Sequence, residues 1–126
     1  MKTSMAILSL CSAVLLVGCA GSINRLPSKF DNVEYRDLVE LNVLSKWSET
    51  CASPELERMD YLGRILATYG NNTLNDDIGE IYTEVSSLAS ELRARENPSP
   101  TYCKLKRTNI SDATDRAIEV FGRRMK

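Results

Sequence analysis

The stretch "LNDDIGEIYTEVSSLASELRARENPSP", residues 74–100, decides the fold class. Leu74, Ile78, Ile81, Tyr82, Val85, Leu88, Ala89 and Leu92 recur at spacings of three and four, which is the period of a helix with one buried face. Asn75, Asp76 and Asp77 supply capping groups and negative charge where a helix N-terminus wants them. Arg93 and Arg95 sit where the C-terminal end of the macrodipole favours cations. "ENPSP" then stops the helix, because proline cannot continue it.

The same period extends in both directions. In "CASPELERMDYLGRILATYGNN", residues 51–72, a second helix carries Leu56, Met59, Leu62, Ile65 or Leu66, and Tyr69 on one stripe. Ser53 is its expected cap and Pro54 its first residue, where the missing N–H costs nothing. Gly70 before two asparagines predicts a left-handed C-terminal cap. A first helix is expected from Val33 to Thr50 with Asp31 or Asn32 as cap. Its apolar residues do not fall on one stripe: Val43, Leu44, Trp47 and Cys51 share a face, while Tyr35, Leu38 and Val39 point elsewhere. A helix apolar on more than one side is central to its bundle or open to a partner. "TYCKLKR" reads as irregular, and a short fourth helix is expected from Ser111-Asp112 to Arg124, with Ala113, Ala117, Ile118 and Phe121 inward. No segment alternates long enough for a strand. The expectation is an all-α, small four-helix bundle over residues 33–126.

The N-terminus reads differently. Lys2 precedes the apolar run "MAILSLCSAVLLVG", residues 5–18. Its length suits a secretory h-region of roughly 7–15 residues and falls short of the ~20 needed to cross a bilayer. Leu16-Val17-Gly18-Cys19 resembles the lipobox of bacterial lipoproteins. That resemblance implies cleavage before Cys19 and lipidation of its thiol, with residues 1–18 a lipoprotein signal peptide. Ala20 in place of Asp implies sorting to the outer membrane. Two or more acyl chains anchor a protein stably where one does not. "AGSINRLPSKFDN", residues 20–32, is polar and aperiodic, so 19–32 reads as a lipidated tether.

Of four cysteines, Cys11 leaves with the signal and Cys19 takes lipid. Cys51 and Cys103 remain, and an oxidising periplasm favours a disulfide between them. The alternative is two free thiols or half of a metal site. The chain has no histidine, which deprives such a site of a common zinc ligand and excludes Ser-His-Asp and Cys-His catalysis. The acids Asp76, Asp77, Glu80 and Glu84 sit where a helix start or a solvated face puts acids. The calcium-loop pattern around Gly79 fails, since Leu74 would occupy its first ligand position. A net charge of −1 gives no electrostatic case for nucleic acid. The basic "KLKR" and "GRRMK" read as solvated helix ends, with contact to anionic lipid as the alternative. The chain reads as a binding protein, not an enzyme, with no cofactor or metal.

The layout of lipobox, tether, a first helix ending at Cys51, "SPEL" opening the second, Gly70 closing it, and "PSPTYC" before a last helix resembles the pilotins of the type II secretion system. These form the PulS/OutS family of small outer-membrane lipoproteins. The resemblance covers residues 16 to about 121, and Cys51 and Cys103 match the family's disulfide pair. It implies a partner, the C-terminal tail of a secretin subunit, which folds into a helix in the pilotin's groove. It also implies transit with the lipoprotein-sorting machinery to the outer membrane, where the protein faces the periplasm. The surplus apolar residues Tyr35, Leu38, Val39 and Leu41 are the expected groove wall, with Tyr82 or Leu92 opposite. A second reading has the same anchor and bundle: a prophage-type exclusion or inhibitory lipoprotein that binds a folded envelope protein. An envelope hydrolase or peptidoglycan-binding module would need a polar site that the sequence does not display.

Overall fold

The computed structural model describes residues 31–47, 50–71 and 76–124. The expected signal peptide, Cys19 and the expected tether as far as residue 30 lie outside them. Four helices fill the described chain: α1 (Asn32–Trp47), α2 (Ser53–Asn71), α3 (Asp76–Ala94) and α4 (Pro100–Arg124). No strand occurs among the described residues, and the architecture is the expected all-α four-helix bundle.

Each helix borders two neighbours in a closed cycle, α1–α2–α3–α4 and back to α1. Pairwise contacts give the directions. Gly63 faces Ser86 and Ala89 while Gly70 faces Gly79, so α2 and α3 are antiparallel. Tyr35 meets Phe121 at 5.9 Å between ring centroids, while Arg107 reaches back to Leu44, so α1 and α4 are too. Lys106 pairs with Glu91 and Arg116 with Glu84, which sets α4 against α3. The bundle is up-down-up-down, as short connections require.

The core is built unequally. α2 contributes Leu56, Met59, Leu62 and Leu66, and α3 contributes Ile78, Tyr82, Val85, Ala89 and Leu92. α1 gives only Leu38 and Leu41 as fully buried apolar residues, and its buried face also carries Glu34, Asp37, Asn42 and Ser45. The face expected from sequence divides, since Leu44 and Cys51 do pack against the core. Val43 and Trp47 point to solvent, and Leu38 and Leu41 point inward. Buried polar groups stay only where they find partners. Tyr82 donates its hydroxyl to Glu34 at 2.8 Å, across the bundle's diagonal. Asn42 donates to the Thr114 hydroxyl and the Asp115 carboxylate at 2.8 and 2.9 Å.

Helix ends follow the sequence reading at α1 and correct it at both ends of α2. Asp31 caps α1, its Oδ1 accepting from the Val33 amide at 2.7 Å. At α2 the first carbonyl to accept is that of Ala52, from Leu56, so Ala52 is the cap and Ser53 the first helical residue. Gly70 adopts no left-handed conformation. Its smallness serves packing instead, since a Cβ there would stand 3.0 Å from the Gly79 Cα. The left-handed residue lies further on, at Asn97 with φ 47°, in the "ENPSP" stop. Asparagine tolerates that region better than most side chains.

The largest correction is α4. It begins at Pro100, includes the whole of "TYCKLKR", and at 25 residues is the longest helix. Ser99 is its cap: its hydroxyl accepts from the Tyr102 amide at 3.2 Å and its carbonyl from Cys103 at 2.9 Å. Pro100 takes the first helical position. The inward face of this half carries Cys103, Arg107 and Ser111 beside Ile110, so apolar periodicity is absent although the helix is real.

Candidate functional site

Cys51 and Cys103 are bonded, with Cα atoms 6.1 Å apart. The bridge joins the segment after α1 to the first turn of α4, not to a loop. Arg107, one turn further along α4, sits on the same junction. Its guanidinium donates to the carbonyls of Leu44 and Thr50. The Leu44 carbonyl is among the last four of α1, which have no intrahelical partner, so Arg107 caps that helix from outside and complements its dipole. Burial pushes the Arg107 pKa down, and Glu55 at 3.8 Å opposes that shift.

The residues expected to wall a groove divide. Leu38, Leu41, Tyr82 and Leu92 are fully buried in the core, so in this structure they are not surfaces a partner can reach. Tyr35 is half-buried against Phe121. Val39 is half-buried on the outer side of α1. The cause is the polar content of α1: with Glu34, Asn42 and Ser45 taken inward by partners on α3, α4 and α1 itself, the two leucines between them go inward as well.

Leu105 on α4 and Val33 are exposed singly, whereas the outer face of α1 carries a stripe of open apolar surface. Val39, Val43 and Trp47 are spaced by four and therefore aligned. Val43 is 45% exposed and Trp47 81% exposed. Glu40 and Arg58 lock the edge of the stripe toward α2 by two hydrogen bonds of 2.7 and 2.9 Å. That bond to Arg58 holds the Glu40 pKa below the usual carboxylate value. Arg58 in turn lies 5.3 Å from the ring centre of the exposed Tyr61. The surface is thus apolar in the middle with charged and aromatic groups beside it. Val43 and Trp47 were not among the expected groove residues, although their four-residue spacing was a usable signal.

Of the carboxylates considered for acid–base work, the Asp76 side chain lies outside the described residues, and Asp77, Glu80 and Glu84 are engaged structurally or exposed. Asp77 accepts from the Ile78 amide at 2.8 Å, Glu84 pairs with Arg116 at 2.7 Å, and Glu80 is exposed. The buried Asp60 is held by Arg64 and Arg93 at 2.7 and 2.6 Å. Among the described residues no group of three or more His, Cys, Asp or Glu is placed to hold a metal, and no helix is long and apolar enough to cross a membrane. No family model matches the sequence, and neither a curated protein nor a solved structure matches it.

Proposed function

We propose that the protein is a pilotin: an outer-membrane lipoprotein, anchored through Cys19, that captures the C-terminal tail of a type II secretion secretin and escorts it along the lipoprotein-sorting route. The observation that carries this reading is Trp47. A tryptophan exposed to this degree contributes little to its own bundle, and such a residue is the commonest kind of hot spot in a protein interface. With Val43 and Val39 it forms a stripe along which an amphipathic helix of the tail can lay its apolar face. The docking surface is accordingly the outer face of α1 and not the wall expected from sequence. A binding role, without chemistry, also suits a small stapled bundle on a tether.

Trp47 is the single tryptophan of the chain, so its fluorescence reports on the surface directly. A secretin C-terminal peptide should shift that emission to the blue on binding the full-length chain. Trp47→Ala should weaken capture of a labelled peptide by about 30-fold, the equivalent of a 2 kcal/mol hot spot, with the melting temperature unchanged. Equal capture by parent and variant removes the stripe as the site. No capture by the parent removes the pilotin reading itself.

A further inference from the structure

Between the end of α1 and the N-terminal half of α4 lies a cleft of about 530 Å³. Apart from Pro100, its lining residues all carry a polar or charged group. Ser45 and Lys46 face it from α1, and Lys104, Arg107, Thr108 and Ser111 face it from α4. On α4 the spacings 104, 108 and 111 place one ammonium and two hydroxyls on a single side of the helix. Three cations thus converge on one concavity in a chain whose overall charge is −1.

The neutralisation of these cations is incomplete. Lys46 is bound by Asp115 at 2.7 Å. Arg107, 4% exposed, spends its two terminal nitrogens on backbone carbonyls, which are dipoles and cancel no charge. Its Nε, also buried, has no hydrogen-bond partner, and Glu55 stands 3.8 Å from the guanidinium. Lys104 is exposed and has no carboxylate partner among the described residues. Among the described residues two carboxylates attend the three cations, which leaves the Lys104 ammonium uncompensated. The Lys104 ammonium is therefore the charge that an anion entering the cleft meets, in a field to which the buried Arg107 also contributes.

We propose that this cleft binds one carboxylate of a peptide, a chain terminus or an acidic side chain, with Lys104 as its ion-pair partner and the Thr108 and Ser111 hydroxyls as donors. The residual single charge favours a monoanion over a phosphate dianion. The hydroxyls suit an acceptor-only ligand, since each can turn its proton toward it. Ser45 is not a donor here, because its proton is committed to the Asn42 carbonyl at 2.8 Å. The volume exceeds what a carboxylate alone fills, which leaves room for the residue that bears it. This site is separate from the α1 stripe and does not depend on the pilotin reading.

The test is an amide NMR titration of the full-length chain in an uncharged detergent. Four probes are used: acetyl-trialanine with a free C-terminal carboxylate, the same peptide as its C-terminal amide, acetyl-Ala-Glu-Ala-amide, and inorganic phosphate. A carboxylate peptide should give saturable shifts at Lys104, Thr108 and Ser111, and the uncharged peptide none. The tighter of the two carboxylate peptides identifies terminus or side chain as the source. Lys104→Gln, at an exposed position without a partner, should keep the fold and weaken binding about fivefold, the upper range for an exposed ion pair. Thr108→Val should weaken it further with the charge intact. Arg107 is left in place because it holds the end of α1. The proposal is overturned by absent or unsaturable shifts, by equal shifts from the amide peptide, by phosphate binding more tightly than either carboxylate, or by undiminished affinity in Lys104→Gln.

Discussion

Two helix pairs of this bundle are built on different physics. The α2–α3 interface is mainly an apolar ridge with close backbone approach, joined by one ion pair from Arg93 to the buried Asp60: a Cβ at Gly63 would come within 3.1 Å of the Ser86 Cα, and one at Gly70 within 3.0 Å of Gly79. The α1–α4 interface keeps a smaller apolar strip and adds directional contacts. These are Asn42 to Thr114 and Asp115, Lys46 to Asp115, Arg107 to the end of α1, and the disulfide. Burial of area is tolerant of detail and scales with size. Hydrogen bonds and a covalent bridge are exacting about position and add little net energy each, yet leave a heavy penalty when one partner is lost. One pair supplies bulk stability, and the other fixes register.

That contrast predicts a graded series of effects. The largest belongs to the apolar pair: Leu66→Ala, at a fully buried site, should lower unfolding stability by about 2–5 kcal/mol. Urea unfolding followed by circular dichroism measures it. A loss below ~1 kcal/mol would mean that α2 and α3 can close over the cavity, and the assignment of bulk stability to that pair would fail.

Next comes the staple. Cys51 and Cys103 are 52 residues apart, and in the chain-entropy model such a closed loop stabilises by about 4 kcal/mol, with engineered cases often delivering less. Replacing both with Ser should lower the melting temperature and leave the helix content at room temperature unchanged. Hydrogen exchange sharpens the comparison. Protection should fall first in the last turn of α1 and the first turns of α4, while α2 and α3 stay protected. Uniform loss would show that the staple supports the whole bundle and not one interface.

How much of this was legible in the sequence follows the same division. α2 and α3 could be read almost entire, because their buried faces are apolar at helical spacing and little polar interrupts them. α1 could be located but not oriented. Glu34, Asn42 and Ser45 share its inner face with Leu38 and Leu41, and no pattern of hydrophobicity announces that Tyr82 and Thr114 wait opposite. The N-terminal half of α4 was missed for a related reason. Arg107 and Ser111 stand where a core leucine would be expected, and only the pair Ser99-Pro100 marked the true start. The disulfide was legible from cysteine arithmetic. Trp47 shares helical spacing with Leu44 and Cys51, which do meet the core, and that spacing does not reveal that Trp47 itself is exposed.

A smaller effect tests the polar pair directly. Asn42→Ala removes the donor to Thr114 and Asp115 and should cost about 1–3 kcal/mol, the penalty of stranding buried partners. Asn42→Leu places an apolar group of similar size in the same space. If register is what the network provides, Asn42→Leu should unfold at nearly the parent's urea midpoint but broaden the amide spectrum of α1 and α4. A sharp spectrum in that variant would leave the network without the role assigned to it.

The smallest effect lies at the solvent edge of the same interface. Asp115 accepts hydrogen bonds from Lys46 and Asn42, and the bond from Lys46 is the main reason its pKa falls below the ordinary 3.8. A carboxylate with a lowered folded-state pKa contributes stability that is fully present above its unfolded value and is lost as the pH falls through the folded one. The contribution of Asp115 therefore holds above 3.8 and disappears in more acidic solution. Lys46 and Asp115 are 40% and 50% exposed, so solvent screens the pair and its worth is no more than about 1 kcal/mol. Asp115→Asn keeps an oxygen to accept from Asn42 and removes only the charge. Its urea midpoint should lie slightly below the parent's at pH 6, and the difference should shrink as the pH falls below 3.8 and Asp115 takes up its proton. In 1 M salt the gap at pH 6 should narrow, because exposed pairs are screened over about 3 Å at that concentration. A gap that persists unchanged at pH 2 would assign the loss to altered packing against Asn42, and the α1–α4 edge would then owe its order to shape and not to charge.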